Sequence, residues 1–333
     1  MYLGGDFTVS RVLVTGAAGF IGGNLLNSLI GAGIDAKGID NFSGYYDPSM
    51  KKKRIENLKI GNHIIDIDIE DKINLRDIFG TYKPTSVIHL AAQGGVRASR
   101  ANPEPYISSN QIGFLNVLKA AEEIRADKFI YASSSSVYGD SKSNLFSEDE
   151  KLSAPKSLYG LSKLSNEIIA NYFPKTNTKR IGLRFFTVYG PWGRPDMAVY
   201  RLLVSSKLGL PFKLTANLDV ERDFTYASDV SRIILECINL QRVVHEPEVF
   251  NVAGGKPFSL RALLSILEEL KIPVEIASGE IDPLDVLRTH ASTQKILDWG
   301  FTIPNTSLLS GISATWEWVN SQKESDLRAW LEH

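Results

Sequence analysis

A glycine-rich turn near the start of the chain constrains the fold more than any other feature. Residues 11–15 predict a strand, residues 20–30 show a helical pattern, and Val14-Thr-Gly-Ala-Ala-Gly-Phe-Ile-Gly22 joins the two. Glycines at such a junction allow a tight turn and let backbone N–H groups at a helix N-terminus approach a pyrophosphate. Glycine-rich turns also form for packing alone, but the strand–turn–helix context favours a dinucleotide site. The residues of this turn predicted to contact the cofactor are Gly16, Gly19, Phe20, Ile21 and Gly22.

The first half of the chain alternates short β-branched runs with helical patterns, which predicts βαβ units. Further strands are predicted at 34–40, 63–69, 86–92, 128–133 and 180–188, and helices at about 106–125 and around Tyr159 and Lys163. Strands connected through helices form a parallel sheet. The predicted fold class is therefore α/β, a Rossmann-type doubly wound parallel sheet with a smaller C-terminal substrate-binding lobe.

The pattern changes beyond residue 190, where prolines and glycines mark loops as far as residue 211. Helices are predicted at about 198–207, 228–240, 259–270 and 307–331, with a strand at 248–252. The predicted organisation is a cofactor-binding domain over residues 1–190 with a return segment at about 225–255, and a lobe formed by about 191–224 and 256–333.

Composition excludes several classes of partner. The 333 residues carry 37 Lys and Arg against 38 Asp and Glu, a net charge of −1, so no broad electrostatic footprint for nucleic acid or an acidic membrane is expected. The single cysteine, Cys237, rules out an intramolecular disulfide and fits a reducing compartment. Neither a run of about 18 apolar residues nor a signal peptide is recognised. We therefore expect a soluble, cytoplasmic protein without a metal site.

The second predicted strand ends in Asp40, about twenty residues beyond the glycine turn. A carboxylate at this place can accept hydrogen bonds from both hydroxyls of an adenosine ribose and would repel a 2′-phosphate. NAD is therefore favoured over NADP as the cofactor. The alternative is that Asp40 and Asn41 only form a turn.

Tyr159 and Lys163 lie four residues apart in a predicted helix, so both side chains stand on one face. An ammonium beside a phenol stabilises the phenolate and lowers a pKa that is about 10 when unperturbed. Such a tyrosine can take a proton from an alcohol near neutral pH. Spacing alone favours a solvated helix face, and only the surrounding motifs favour the catalytic interpretation.

Four motifs occur in a fixed order, namely the glycine turn, His89-Leu-Ala-Ala92, Tyr131-Ala-Ser-Ser-Ser-Ser-Val-Tyr-Gly139 and Tyr159-Gly-Leu-Ser-Lys163. In these motifs the chain resembles the extended short-chain dehydrogenase/reductase superfamily over nearly its whole length. Within that superfamily it is similar to UDP-glucuronate 4-epimerases. The stretches that carry this second resemblance are Asp40-Asn-Phe-Ser-Gly-Tyr-Tyr-Asp-Pro48, Gln93-Gly-Gly-Val-Arg97 and Arg184-Phe-Phe-Thr-Val-Tyr-Gly-Pro-Trp-Gly-Arg-Pro-Asp-Met197.

The resemblance implies a catalytic role for three side chains. Tyr159 would be the base, and Lys163 would lower the pKa of Tyr159 and bind the nicotinamide ribose. Ser134 would hydrogen-bond O4 of the sugar, because it lies three residues before Val137, where the family keeps its catalytic serine or threonine. The neighbouring serines at 133, 135 and 136 are the alternatives for this hydroxyl.

The same resemblance implies the contacts of both ligands. The cofactor site would be completed by Asp40, Asn41, Asp68, Ile69, Leu90, Ala91, Ala92, Asn110 and Phe186, beside Tyr159 and Lys163. The substrate site would comprise Gly95, Val96, Arg97, Ser134, Ser135, Ser136, Thr187, Arg194, Lys213, Leu214, Thr215, Arg222 and Asp285. Arg222 matches the arginine that binds the UDP diphosphate, the alternative being a surface salt bridge with Glu221 or Asp223. Asp285 matches the acid that holds the uridine ribose, although Leu284 and Ser292 stand where the family has glycine and aspartate.

The implied reaction is NAD-dependent 4-epimerisation of UDP-glucuronate to UDP-galacturonate through a transient 4-keto sugar, in a homodimer. This ketone stands β to the uronate carboxylate, so the site must hold the carboxylate in a poor orientation for loss of CO₂. Ser134–Ser136 and Thr187 offer neutral hydroxyls for that task. The absence of an Asp or Glu between Ser133 and Tyr138 argues against dehydratases and decarboxylases. The alternatives are a 4-epimerase of UDP-glucose or UDP-N-acetylglucosamine, and a non-catalytic NAD-sensing protein.

Overall fold

The computed structural model describes residues 10–141, 143–174, 176–242, 244, 246–279 and 286–332. Within these ranges the strands are β1 (Arg11–Thr15), β2 (Asp35–Asp40), β3 (Ile64–Asp66), β4 (Ser86–His89), β5 (Lys128–Ser134), β6 (Lys179–Phe185), β7 (Thr187–Tyr189), β8 (Phe212–Leu214), β9 (Glu221–Tyr226), β10 (Glu248–Val252), β11 (Pro257–Ser259) and β12 (Ile276–Ser278).

The helices of the described residues are α1 (Phe20–Gly31), α2 (Pro48–Asn57), α3 (Lys72–Tyr82), α4 (Ala98–Ala101), α5 (Glu104–Ile107), α6 (Phe114–Glu123), α7 (Leu158–Tyr172), α8 (Ala198–Leu208), α9 (Ala227–Asn239), α10 (Leu260–Glu269), α11 (Gln294–Asp298), α12 (Leu308–Ser321) and α13 (Glu324–Glu332). A π-helical segment, Ser108–Gly113, joins α5 to α6. None of these helices combines the length and apolar character that a membrane crossing requires.

Seven strands form one parallel sheet in the order β10-β6-β5-β4-β1-β2-β3. The chain leaves β1 towards β2 and later returns to β4 on the other side of β1, so the strand order reverses beside β1. In such sheets a crevice opens at the carboxyl ends of the strands next to the reversal, and ligands bind there. The α/β, Rossmann-type doubly wound sheet predicted from the sequence is confirmed.

Helices cover both faces of this sheet, which explains why its strands are apolar on both sides. Val12 and Val14 face one buried cluster, which also contains residues of α1 and α9, and Leu13 faces a second cluster with residues of α3 and α6. Successive side chains of a strand point to opposite faces, so one short run serves two cores.

A third apolar cluster joins α8, α10, α12 and α13 to β7 and β8. Two smaller sheets, β11-β9-β7 and β12-β8, accompany it. The tryptophans of the C-terminal region take part, because Trp330 is buried and Trp318 packs against Trp192 at a centroid distance of 5.0 Å. These segments line one side of the crevice at the sheet. The predicted domain boundaries themselves stay a prediction.

Several predicted elements differ from the structure, among them the strands predicted at 63–69 and 86–92, which end at Asp66 and His89. The strand at 180–188 is wrong as a single element, because β6 ends at Phe185 and β7 pairs with β9 in another sheet. The break falls at Phe186, whose backbone N–H donates to Val252 O at 3.2 Å, and an uninterrupted apolar run hides it from sequence reasoning. The helix at 106–125 begins earlier and contains the π-helical segment, and the helix at 307–331 is two helices.

Candidate active site

A cleft of about 1300 Å³ lies at the carboxyl ends of the parallel strands. It brings together most of the predicted residues, namely Gly16, Gly19, Phe20, Ile21, Gly22, Asp40, Asn41, Ile69, Leu90, Ala91, Ala92, Gly95, Val96, Arg97, Ser134, Ser135, Ser136, Tyr159, Lys163, Phe186, Thr187, Arg194, Thr215 and Arg222. Four predicted residues, Asp68, Asn110, Lys213 and Leu214, do not line it. Asp285 and Leu284 lie outside the described residues.

The glycine turn forms a cradle that larger residues would fill. Gly16 has φ +71°, and a Cβ there would lie 2.7 Å from the backbone nitrogen of Ala91. A Cβ on Gly22 would lie 2.1 Å from Gly16 O. Helix α1 begins after Gly19, which has no side chain, so the N-cap residue makes no side-chain hydrogen bond to the N–H groups of the first turn. This cradle fits the pyrophosphate of a dinucleotide.

Asp40 is buried at the end of β2 and already accepts three hydrogen bonds. Its Oδ2 accepts from Ala18 N at 3.0 Å, and its Oδ1 accepts from Phe42 N at 2.8 Å and Lys51 Nζ at 3.3 Å. A carboxylate offers about four acceptor positions, so one remains for a ribose hydroxyl. The turn and the ribose contact are therefore compatible. Sequence reasoning missed Lys51, because nothing in the run of lysines at 51–53 marks which one points inward.

The loop after β3, where the resemblance predicts the adenine contacts, lies beside Asn41. Asn41 Nδ2 donates to Asp68 Oδ2 at 2.8 Å, so Asp68 holds Asn41 rather than lining the cleft. Ile69 does line the cleft, and its backbone oxygen accepts from Asn116 Nδ2 at 3.1 Å. Sequence reasoning missed Asn116, whose contact is visible only once α6 is packed.

Asn110 does not line the cleft, and its predicted cofactor contact stays a prediction. It is fully buried in the π-helical segment, where Oδ1 accepts from Gln93 N at 2.7 Å and Nδ2 donates to Gln93 O and Ser162 Oγ, each at 3.0 Å. π-Helical turns recur at functional sites because they redirect a side chain. Asn110 therefore fixes the loop after β4 to α7.

Tyr159 and Lys163 lie on the face of α7 that packs against β5. Ser157 caps this helix by accepting from Gly160 N at 3.0 Å, and Gly160 permits close packing because a Cβ there would lie 2.7 Å from Ser136 O. Lys163 is 2% exposed and donates from Nζ to Ala132 O at 3.0 Å. The alternative of a solvated helix face is therefore wrong.

The pKa of Tyr159 depends on burial and on nearby groups, and the predicted effect of Lys163 on it stays a prediction. Burial raises the pKa of the Tyr159 phenol above its usual 10.0, while the Arg194 guanidinium and the Ser134 hydroxyl lower it. Burial also lowers the pKa of Lys163 to about 8. Arg194 is thus a cation that favours the Tyr159 phenolate, and Lys163 donates to the backbone of β5.

The serine run divides into two groups. Ser134 Oγ accepts from Ser136 N at 3.1 Å and donates to Ser136 Oγ at 3.2 Å, so the two hydroxyls stand together beside Tyr159. Ser135 and Thr187 line the same cleft. Ser133 instead donates its hydroxyl to Glu167, which removes it from the alternatives for the sugar hydroxyl.

Arg194 forms a bidentate ion pair with Asp196, with Nε–Oδ1 at 2.9 Å and Nη2–Oδ2 at 2.6 Å. Tyr45 donates to Asp196 Oδ2 at 3.1 Å, and the guanidinium lies 5.7 Å from the centre of the Tyr45 ring. A Cβ on Gly94 would lie 2.3 Å from Arg194 Nη1, so the loop after β4 leaves room for this cation. Sequence reasoning missed Tyr45 and Asp196, although both lie in stretches it singled out.

Two further cations, Arg222 and Arg97, line the cleft. Arg222 lies in β9 and donates from Nη1 to Glu221 O at 2.8 Å, while the Glu221 carboxylate pairs with Arg288 at 2.8 Å. Arg97 Nη2 donates to Thr215 Oγ1 at 3.1 Å, so a side chain of the loop after β4 reaches the segment after β8. Lys213 and Leu214 lie within β8 and do not line the cleft, so their predicted substrate contacts stay predictions.

Known proteins share both the sequence and this geometry. The family model for the NAD dependent epimerase/dehydratase family matches residues 12–253. UDP-glucuronate 4-epimerase 6 of Arabidopsis thaliana is 37% identical over 92% of this chain and 71% of its own length. The crystal structure of UDP-glucuronic acid 4-epimerase from Bacillus cereus with UDP-glucuronic acid and NAD is 32% identical, with a TM-score of 0.86 over 93% of this chain and 99% of that one.

A second solved structure marks the breadth of the likeness. The UDP-glucose 4-epimerase of Thermotoga maritima, solved with UDP-glucose, is 28% identical with a TM-score of 0.84 and covers 93% of this chain and 98% of that one. The glycine cradle, the Asp40 carboxylate and the pair Tyr159 and Lys163 all lie within residues 12–253, the part matched by the family model. The chain belongs to the NAD-dependent epimerase/dehydratase family.

Proposed function

We propose that this protein interconverts UDP-glucuronate and UDP-galacturonate by NAD-dependent epimerisation at C4, through a transient 4-keto sugar. One observation carries the proposal: the acid-free hydroxyl wall of Ser134–Ser136 and Thr187 lies in the same cleft as Tyr159 and the Arg194 guanidinium. A proton acceptor, neutral hydroxyl donors and a cation thus line one pocket beside the glycine cradle.

The residues present fit NAD. The cradle at Gly16 and Gly22 would hold the pyrophosphate, Asp40 would accept a hydroxyl of the adenosine ribose, and Lys163 would bind the nicotinamide ribose. When bound, NAD supplies a reversible hydride acceptor. Asp40 stands beside the Lys51 ammonium at 3.3 Å, so its charge is partly balanced while it keeps an acceptor position free.

Proton transfer at O4 falls to Tyr159 in this proposal. The Tyr159 phenolate accepts the O4 proton, and Ser134 orients O4 by a hydrogen bond. Burial disfavours the phenolate because it raises the pKa of Tyr159. The nearby Arg194 guanidinium lowers this pKa and so counteracts burial. The buried Lys163 holds α7 to β5 through Ala132 O, which keeps the tyrosine at the strand end.

The uronate carboxylate determines the substrate preference that we propose. Short hydroxyl donors at Ser135, Ser136 and Thr187 can fix its orientation, so that the bond to the carboxylate stays out of the perpendicular arrangement that favours loss of CO₂. Arg194 already binds Asp196 through Nε and Nη2, so it adds positive charge near this group rather than a second bidentate contact. A 4-epimerase of neutral UDP-sugars would not need these hydroxyl donors to orient a carboxylate, and it is therefore the second candidate.

The proposal includes a homodimer in the cytoplasm. Exposed apolar side chains on one face of α7 are Leu161 (48%), Ile168 (50%) and Tyr172 (81%), and Ile107 (44%) and Ile112 (48%) are exposed on the preceding helical segments. Apolar residues grouped in this way are typical of a surface covered by another subunit. The buried single cysteine fits a reducing compartment.

The test is incubation of the purified protein with UDP-glucuronate, UDP-glucose and UDP-N-acetylglucosamine without added NAD, with the products resolved by chromatography. The proposal predicts a mixture of UDP-glucuronate and UDP-galacturonate. A UDP-pentose as the main product, or turnover of neutral sugars only, would contradict it.

A further inference from the structure

Helix α7 contacts three successive residues of β5, namely Ala132, Ser133 and Ser134. Tyr159, Lys163 and Glu167 are spaced by four, so they lie on one face of the helix. The Ser134 hydroxyl is hydrogen-bonded to the Tyr159 side chain, Ala132 O accepts from Lys163 Nζ at 3.0 Å, and Ser133 donates to Glu167. The proposed mechanism uses the first two of these contacts and leaves the third without a role.

The third contact is made by a buried ion pair. Arg184 of β6 binds Glu167 with both arms of its guanidinium, Nε–Oε1 at 2.9 Å and Nη2–Oε2 at 2.8 Å, and the two side chains are 4% and 8% exposed. Ser133 and Arg184 are paired residues of β5 and β6, so the ion pair between Arg184 and Glu167 lies one residue along β5 from Ser134. A bidentate pair fixes both direction and distance.

The same row continues into β10. Asn251 pairs with Arg184 in register, and Tyr138 bridges them, because Arg184 Nη1 donates to Tyr138 OH at 2.9 Å and Tyr138 OH donates to Asn251 Oδ1 at 2.7 Å. Three strands and α7 are thereby joined by polar contacts at one level of the sheet, directly beneath the proposed catalytic serine. Buried networks in which every group is satisfied make the local geometry rigid.

We propose that Glu167 and Arg184 are positioning residues, which set the register of α7 against β5 so that Tyr159 and Ser134 converge on the same substrate oxygen. The inference rests on the proposed function, because it assigns a role within that reaction. A misplacement of about 1 Å in such a site costs as much as 100-fold in rate, so the geometry of the pair matters beyond its contribution to stability.

The chain contains a matched control. Arg180, at the other end of β6, pairs with Glu122 of α6 through Nε–Oε1 at 2.8 Å, and these side chains are 4% and 6% exposed. The two pairs are alike in residue types and burial, and neither lines the cleft, but Arg180 contacts α7 at its C-terminal end, through Ala170 O and Phe173 O at 2.9 Å, far from Ser134. A merely structural role would give the same result at both sites.

The experiment compares Glu167→Gln with Glu122→Gln in the full chain, with kcat expressed per bound NAD. We expect both variants to lose Tm to a similar degree, but only Glu167→Gln to lose kcat, by about tenfold or more, with the KM for UDP-glucuronate and the NAD content unchanged. Ser133→Ala removes only the serine contact to Glu167, and we expect a smaller loss of kcat in the same direction. It serves as the test if Glu167→Gln does not fold.

A second measurement does not depend on turnover. Amide hydrogen exchange in residues 158–167 of the NAD-loaded protein should accelerate in Glu167→Gln, and in Ser133→Ala, but not in Glu122→Gln. Equal kcat in Glu167→Gln and Glu122→Gln, or unchanged exchange in 158–167, would overturn the inference. If the wild type converts only a neutral UDP-sugar, the proposed function fails, while the kcat ratios for that sugar still decide the role of the pair.

Discussion

Arg194 and Asp196 form a bidentate ion pair beside Tyr159, with Nη2 and Oδ2 2.6 Å apart. Arg194 lowers the pKa of Tyr159 and Asp196 raises it, so the two members of the pair act on the phenol in opposite directions, against the larger effect of burial. The proton affinity of the proposed base therefore depends on a pair that the Tyr-x-x-x-Lys motif does not include.

This relationship predicts opposite shifts in the pH dependence of the reaction. A base must be deprotonated to act, so kcat/KM rises with pH through the pKa of Tyr159. Asp196→Asn removes the charge that raises this pKa, and we expect the rising limb to move to lower pH. Arg194→Met removes the charge that lowers the pKa, and the limb should move to higher pH. The measurement is the profile of kcat/KM against pH for both variants. A shift of the rising limb in the same direction in both would contradict this account of the Tyr159 pKa.

The glycine cradle predicts a loss of cofactor when its first residue gains a side chain. A Cβ at Gly16 would lie 2.7 Å from Ala91 N, so Gly16→Ala should release NAD and abolish turnover. Gly33 is the matched control, because it has φ +73° against +71° at Gly16, but a Cβ there would meet no atom of the described residues within 4 Å. Gly33→Ala should cost about 1 kcal/mol through backbone strain alone and keep NAD. Bound NAD, measured after gel filtration, should therefore separate the two variants.

Asp223 predicts a pH dependence of stability. Burial raises the pKa of its carboxyl from 3.8 to about 6, against the effect of the Ala291 N–H. The folded state thus binds the proton more tightly than the unfolded state, so this group's contribution to stability falls as pH rises from about 4 through about 6, by about 3 kcal/mol at most. Asp223→Asn should therefore raise Tm at pH 8 relative to the wild type and leave Tm nearly unchanged at pH 4.

The control for this prediction is Asp66→Asn, an exposed position at the end of β3. It should leave the difference in Tm between the two pH values as it is in the wild type. A wild-type difference that persists in Asp223→Asn would show that another group causes it.

Much of the fold follows from the sequence, because its signals are local. The strand at Arg11–Thr15, the glycine turn and the cap of α7 at Ser157 each depend on residues within one turn of chain. Helix α2 was missed because its lysines and arginine hide any apolar period, although Asp47 and Pro48 mark its start.

The contacts between distant segments could not be predicted. Lys51 reaches Asp40 only because α2 packs beside β2, and Arg194 meets Tyr45 only because the segment after β7 folds over the loop after β2. Asn110 does not line the cleft because a π-helical segment redirects it. A motif specifies the residue type at such positions, and tertiary packing decides which atom it meets.

The central claim is that Tyr159 removes the O4 proton of UDP-glucuronate on bound NAD, and Tyr159→Phe tests it most directly. The variant keeps the ring and its packing against Tyr106, whose ring centre lies 6.3 Å away, and loses only the hydroxyl. We expect the purified variant to carry as much NAD as the wild type and to convert UDP-glucuronate to UDP-galacturonate at less than about one-thousandth of the wild-type rate, measured by chromatography of the two UDP-sugars. Turnover within about tenfold of the wild type, at equal NAD content, would contradict the assignment of the base.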